Sequence, residues 1–307
     1  MEYILTTEGL CKSYGKSDVL KDVSLHIPKG AIYGLIGKNG AGKTTIMRII
    51  TGLQKPTSGT YSIFGVSDSD PAINDLRRRT GAIIESVAIY KDLSAYDNLK
   101  VQCINLGLPS YDVIDDMLKL VGLEKTGKKH AGKFSLGMKQ RLGIALALCG
   151  SPDLLVLDEP INGLDPQGII EIREMLLNIN KTKGTTILIS SHLLDELARI
   201  ADNYGFIDEG RIIRETSKAD LEKSLRKSTM IRVTDVEKTL SYLDGRLLEY
   251  EVDADEGIRI FADSLNPTEL ITGLVDKGVT VTYIGQNEET LESFFMNLIS
   301  DRKGASR

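Results

Sequence analysis

Cysteine, histidine and long apolar runs are all scarce in this 307-residue chain, and each scarcity closes off a class of function. The three cysteines are Cys11, Cys103 and Cys149, and no two share the short spacing of a zinc or dithiol motif. Buried free thiols in a reducing compartment are the expectation. No stretch approaches the about 18 consecutive apolar residues that span a bilayer. The longest runs, 144–149 and 154–157, are the size of core segments. The opening Met-Glu-Tyr-Ile-Leu-Thr-Thr-Glu lacks the order of a secretory leader. A cytoplasmic chain is expected, and any work at a membrane requires a second chain to cross it. An excess of positive charge is missing too: 38 Lys and Arg stand against 43 Asp and Glu, a net charge of −5. Nucleic acid binding, which demands a basic face, is therefore not expected. Neither an internal repeat nor a low-complexity tract occurs.

What is present reads as alternating strands and helices. Residues 3–10, 23–27, 31–36, 81–84, 154–158 and 185–190 have strand character. Residues 44–50 read as a helix after a glycine-rich loop, and 92–150 turn helical, with apolar residues three and four apart. This order predicts an α/β fold with a mainly parallel sheet and a helical subdomain, about 86–150, inserted into it. Residues 205–213 read as a hairpin, and the polar, basic stretch that follows places a linker at 218–228. Beyond it, 229–307 read as a small α+β domain. Its strands at 230–234, 247–253, 257–263 and 279–284 and helices at 236–243 and 267–277 follow the split βαβ, ferredoxin-like order. A last amphipathic helix at 289–299 presents Leu291, Phe294, Phe295 and Leu298 on one face, expected as core.

Gly37-Lys38-Asn39-Gly40-Ala41-Gly42-Lys43-Thr44, with Thr45 next, is a complete phosphate loop between a strand and a helix. Its glycines let backbone N–H groups turn inward around phosphates, and the helix adds its positive N-terminal end. Lys43 is expected to reach the β- and γ-phosphates, and the Thr44 hydroxyl to ligate Mg²⁺. An apolar strand then delivers Asp158 to the metal and Glu159 to the strand's end. Hydrolysis needs a group that orients and deprotonates the attacking water, and Glu159 is placed for that task.

With these motifs the chain resembles the ATP-binding cassette ATPases over residues 1 to 215. The resemblance implies the cassette fold: a parallel core, an antiparallel β subdomain and the inserted helices. Ser135-Leu136-Gly137-Met138-Lys139-Gln140-Arg141 resembles the family's signature loop, keeping Ser135 and Gly137 while departing at Leu136 and Met138. That loop implies a homodimer or paired cassette in which Ser135 and Gly137 serve the ATP held by the opposite subunit. Asp165, in Gly163-Leu164-Asp165, resembles the D-loop that joins the two sites. His192 resembles the switch histidine at the γ-phosphate, and Tyr14 the aromatic on which adenine stacks. His26 and His130 match no motif. Glu85 stands where most members have Gln, a position near Mg²⁺ and the membrane subunit. Together with the signature variant it resembles the branch that exports, or confers immunity to, lantibiotics, bacitracin and related peptides. ATP and Mg²⁺ are the implied cofactors and integral-membrane permease subunits the implied partners, with the chain peripheral at the inner face of the membrane. The alternatives are a soluble relative acting on ribosomes or DNA, and a low-turnover nucleotide switch. The former usually carry two cassettes or a long inserted arm, of which this chain shows neither.

Overall fold

The computed structural model describes residues 2–225, 228–252, 257–262, 265–287 and 291–305. They form two compact units that meet between Lys218 and Ala219.

In the first unit β1 (Tyr3–Tyr14) and β2 (Ser17–Pro28) form an antiparallel hairpin that turns at Gly15, each strand longer than the 3–10 and 23–27 expected. β3 (Ile32–Ile36) leads into α1 (Lys43–Ile50), and β4 (Ser58–Ile63) and β5 (Val66–Ser67) complete a four-stranded antiparallel sheet in the order β2-β1-β4-β5. A short helix, α2 (Ile73–Leu76), precedes β6 (Thr80–Ile83). The helical stretch is three separate helices: α3 (Ala95–Asn105), α4 (Val113–Leu120) and α5 (Leu136–Leu148). Then come β7 (Leu154–Asp158), α6 (Pro166–Lys183), β8 (Thr186–Ser191), α7 (Leu194–Ala198), β9 (Asn203–Asp208) and β10 (Arg211–Ser217).

The second sheet runs β10-β9-β3-β8-β7-β6, parallel throughout except at β10. Every residue of β3, β7 and β8 is buried, as expected for parallel strands covered on both faces. That is why they read as unbroken apolar runs rather than alternating ones. Helix α1 buries Ile46, Met47, Ile49 and Ile50 in one core with Leu25 and Ile27 of β2 and Val156 of β7. Each such side chain contributes about 1.5–3 kcal/mol by leaving water, so the phosphate loop hangs from a helix fixed on both sides. His26 of β2 and Tyr33 of β3 both meet Glu215 of β10, at 2.8 and 2.6 Å, tying the edge of the parallel sheet to the antiparallel one.

Tertiary packing also brings two distant cysteines together. Cys103 on α3 and Cys149 just past α5 are buried with their sulfurs 3.2 Å apart as free thiols. Burial, reinforced by Cys103, pushes the Cys149 thiol up to about 12.

The stretch expected to link the domains holds a helix, α8 (Lys218–Ser224), with Leu221 buried. Its apolar positions were too few to stand out among the lysines. In the second unit β11 (Ser228–Val233), α9 (Val236–Asp244), β12 (Glu249–Val252), β13 (Ile258–Phe261), α10 (Pro267–Val275) and β14 (Val281–Asn287) follow in turn. Their sheet is antiparallel in the order β12-β13-β11-β14, the split βαβ arrangement. Asp235 and Asn266 cap α9 and α10 through side-chain oxygens, which starts both helices sharply. Helix α11 (Leu291–Ala305) outruns its expected length, and Leu291, Phe294, Phe295 and Ile299 are buried while Leu298 is half-buried. The strand expected at 257–263 runs from Ile258 to Phe261 among the described residues, and the expected ends at 253 and 263 lie outside them. The first two residues of the expected last helix, 289 and 290, lie outside them as well.

Candidate functional site

The loop between β3 and α1 closes on itself. Gly42 opens α1 with φ +113°, a conformation that L side chains rarely adopt. At Gly37 a Cβ would come 2.5 Å from the carbonyl oxygen of Ile207, so backbone packing there excludes any larger residue. Lys43 is nearly buried, and its ammonium donates to the Gly37 carbonyl at 2.6 Å and the Lys38 carbonyl at 3.3 Å. The ammonium therefore lies inside the ring of backbone that Gly37, Lys38, Asn39, Gly40, Ala41 and Gly42 describe. A loop of this shape presents N–H groups and one positive charge to an anion.

The parallel sheet brings the acids to the same place. Thr44 donates from Oγ1 to Asp158 Oδ2 at 2.7 Å, and Ser190 donates from Oγ to Asp158 Oδ1 at 2.6 Å. Ser190 also accepts the Glu159 N–H, at 3.0 Å to its hydroxyl, while the Ser190 carbonyl lies 3.2 Å from the same N–H. Glu159 itself sits at φ +47°, left-handed for a residue that gains nothing there locally. That strained turn aims its carboxylate back across the strand ends, where Oε1 lies 3.4 Å from Lys43 Nζ and Oε2 lies 2.7 Å from His192 Nδ1. Phosphate-loop lysine, carboxylate and histidine thus form one contiguous set from three separate segments. A cleft of about 610 Å³ opens beside it, bordered by Thr44, Glu85, Asp158, Glu159 and Asn162. The hydroxyl of Thr44 and the carboxylate of Asp158 suit a hard divalent ion that keeps its other positions for water and phosphate oxygens.

Glu85 differs from expectation. It too is left-handed, at φ +65°, and it borders the cleft, but its carboxylate is engaged by the Arg48 guanidinium on α1 rather than shown at a metal position. The hydrogen bond to Glu85 is the chief reason that Arg48 holds its proton more firmly than a free guanidinium. Ile83, Ile84, Ser86, Val87 and Ala88 also border a second cavity of about 440 Å³, with Leu53, Arg78, Leu106 and Leu146. The Glu85 loop is the wall between nucleotide cleft and groove.

The remaining candidates have local contacts. Tyr14 is partly exposed; its hydroxyl donates to Gln54 Oε1 at 2.6 Å, and the Lys12 ammonium sits 5.2 Å above its ring. Thr45 follows Thr44 in the first turn of α1, half-buried. Ser135 caps α5 by accepting the Met138 N–H at 3.3 Å, and Gly137 lies in the first turn that this cap sets. Asp165 caps α6 by accepting the Gly168 N–H at 3.1 Å, ahead of a proline at the helix start. Each of these loops is rigidified by its cap and borders open surface, with Leu136 more than half exposed.

Comparison with known proteins decides the family. The model of the ABC transporter family matches residues 20–162. The bacitracin transport ATP-binding protein BcrA of Enterococcus faecalis is 42% identical over 300 residues, covering 97% of both chains. The chain belongs to the ATP-binding cassette family. It is an ATP-binding, ATP-hydrolysing subunit of an ABC transporter. The lantibiotic transport ATP-binding protein SrtF of Streptococcus pyogenes is 52% identical over 212 residues, covering 69% of this cassette subunit and 90% of SrtF. Among solved structures, a dimeric cassette bound to ADP and phosphate in a post-hydrolysis state matches with a TM-score of 0.63 at 25% identity, covering 70% of this cassette subunit and 98% of that chain.

Two residues of this cassette subunit's site were not singled out from sequence. Ser190 orients both acids, and its signal was its place one turn of strand before His192. Arg48 carried no signal, because an arginine on a helix reads as a solvated face until the fold sets Glu85 opposite it.

Proposed function

We propose that this subunit drives, through a membrane-spanning partner, the export of or resistance to a peptide antibiotic of the bacitracin or lantibiotic class. The observation that carries the reading is similarity to BcrA along the whole chain, second unit included. The substrate class rests on that likeness, since a cassette subunit does not itself enclose the cargo. Two copies pair with ATP between them, one phosphate loop facing the partner copy's Ser135 and Gly137. The dimeric structure of a related cassette supports such pairing.

In this reading Lys43 and the loop N–H groups bind the β- and γ-phosphates and hold them still. Thr44 and Asp158 are the residues that would hold Mg²⁺, whose charge would offset that building on the leaving phosphate. Glu159 accepts the proton of the attacking water, and His192 fixes the carboxylate through Oε2 so that Oε1 faces the phosphate. Tyr14 supplies a flat face for adenine. Asp165, at the cap of α6, stands at the seam between copies. The closed pair is favoured by ATP only because the contacts across the pair exist there alone. The groove beyond Glu85 receives a segment of the permease, so closure at the nucleotide moves the wall that the permease touches. Residues 1–217 carry all of this, with 229–307 an accessory domain, and the chain lies at the inner membrane face through its partner.

The test is expression with the permease encoded beside it in a sensitive host. Raised resistance to bacitracin or a lantibiotic, lost with Glu159→Gln, is the expected result. Co-purification with a permease but resistance to neither class would leave the motor and remove the substrate. Stable complexes with ribosomes or DNA and none with a permease would favour the soluble alternative.

A further inference from the structure

The signature loop and the D-loop of one chain fit into each other. Each sets a leucine next to a glycine, Leu136-Gly137 in the first and Gly163-Leu164 in the second. The two pairs are crossed. Leu136 Cδ2 lies 3.3 Å from the place that a Cβ on Gly163 would occupy, and Leu164 Cδ2 lies 3.8 Å from the corresponding place on Gly137. Each leucine thus takes up the space that the other loop's glycine leaves open. Leu136, one of the two departures from the signature pattern, is half of a reciprocal contact.

Both loops are also held from behind. Ser135 caps α5 and Asp165 caps α6, which fixes the start of each helix. Further along the same two helices, Arg141 Nη1 lies 3.4 Å from Glu171 Oε2, and Gln167 donates from Nε2 to Glu171 Oε1 at 3.2 Å. The D-loop is tight within itself: the Asn162 N–H donates to the Glu159 carbonyl at 3.1 Å, and the Leu164 N–H to the Ile161 carbonyl at 3.4 Å. Glu159 and Leu164 therefore belong to one short, internally bonded segment, and the crossed leucines join that segment to the Ser135 loop. Leu136 is 54% exposed, so the contact lies at the surface and is no part of the core.

We propose that Leu136 and Leu164 are positioning residues that make the Ser135 loop and the Glu159–Asp165 segment move as one body. The inference rests on the pairing of copies around ATP proposed above. In such a pair Ser135 meets the ATP of the opposite copy, whereas Glu159 serves the ATP of its own. A contact joining the two within one chain makes hydrolysis at one site depend on occupancy of the other. Crossed side chains suit this task, because neither can slide past the other without a clash, and packed groups transmit displacement rather than absorb it. A smaller side chain at 136 would leave both caps in place and still let the loops move separately.

The experiment is a cycle of Leu136→Ala, Leu164→Ala and the double variant in the full chain. Dimerisation with ATP is read by sedimentation in a Glu159→Gln parent, and the ATP dependence of hydrolysis in a chain that keeps Glu159. Leu136→Ala should weaken the ATP-bound dimer by about tenfold and lower the Hill coefficient of hydrolysis from near two toward one. Leu136→Met, close to leucine in volume, should retain both. The double variant should lose little beyond the worse single one. ATP affinity of unpaired chains, measured in a Ser135→Arg background, and the urea midpoint should stay at their parents' values, which a merely structural role would shift. Losses that multiply in the double variant would show that each leucine meets the opposite copy on its own, and would overturn the proposal. Wild-type dimerisation and cooperativity in Leu136→Ala would do so too. A Glu159→Gln parent that forms no dimer with ATP would remove the pairing reading and this inference with it, whereas the two preceding outcomes remove this inference alone.

Discussion

The guanidinium of Arg48, on the helix that carries the phosphate loop, clasps the carboxylate of Glu85, in a loop whose neighbours Ile83, Ser86 and Val87 border both the nucleotide cleft and the second groove. An ion pair therefore joins the element that binds phosphate to the element that faces the groove. A neutral amide at residue 85 could accept the same hydrogen bond but would lack the charge.

Glu85→Gln is accordingly expected to change basal ATPase by no more than about tenfold, about 1.4 kcal/mol. Both partners are partly exposed, with side-chain exposures of 36% and 58%, so the pair adds little to fold stability. Coupling should suffer more. Resistance in cells and ATPase of the purified subunit, measured for Glu85→Gln, Arg48→Ala and the double variant, check this. The double variant should lose no more resistance than the worse single one. Full resistance in all three would make the pair a surface ornament.

Glu159→Gln should retain ATP and lose hydrolysis by a factor on the order of 10² or more, as removal of a general base does. The variant should accumulate as an ATP-bound dimer on a sizing column. His192→Ala should also slow turnover, because it frees the oxygen now held at 2.7 Å. Wild-type rates in Glu159→Gln would remove the residue from its proposed role.

Ser190→Ala leaves Asp158 Oδ1 and the Glu159 N–H without the hydroxyl that both use. A cost of about 1–3 kcal/mol is expected in urea unfolding, since buried Asp158 Oδ1 loses its donor, while the Glu159 N–H keeps the Ser190 carbonyl. The same variant should bind Mg·ATP more weakly than wild type by calorimetry. Unchanged values in both measurements would show that water replaces the hydroxyl at no cost.

Ser135→Arg should leave ATP binding to one copy nearly intact and block closure, whereas Lys43→Ala should abolish the affinity itself through loss of a charge-assisted contact. Mixed together, the two variants can form one complete site per pair. Equal loss of monomer ATP binding in both would show that Ser135 serves its own chain.

The buried sulfurs give a chemical prediction. Cys149, with its thiol pushed up to about 12, should resist alkylation at pH 8 along with its neighbour Cys103, while the more exposed Cys11 reacts. Its folded form holds the proton more tightly than the unfolded chain does. The resulting stability is full below the ordinary thiol range near pH 8.5, and is lost as pH climbs through that value toward 12. Urea midpoints of wild type and Cys149→Ala, compared at pH 8 and pH 10, should converge at the higher pH. Rapid labelling of all three thiols at pH 8 would contradict the buried pair.

Much of this protein was determined by local sequence. The phosphate loop needs glycine at fixed steps before Lys43, because only glycine adopts the turn at Gly42 and tolerates the approach at Gly37. The central strands show as unbroken apolar runs because both of their faces are covered. The order of the described strands and helices between 228 and 287 is legible because each is short and both helices start at side-chain caps, Asp235 and Asn266. What only tertiary structure decided are the meetings between segments far apart in the chain. Nothing local sets Arg48 against Glu85, Cys103 against Cys149, or Ser190 between Asp158 and Glu159. Nor does a strand's own sequence say whether it lies at an edge; β14 ends the order of its sheet, with β11 on its one paired side among the described residues. Periodicity reports which face of an element is apolar, but the neighbour across a sheet or helix is chosen by how all the faces close together.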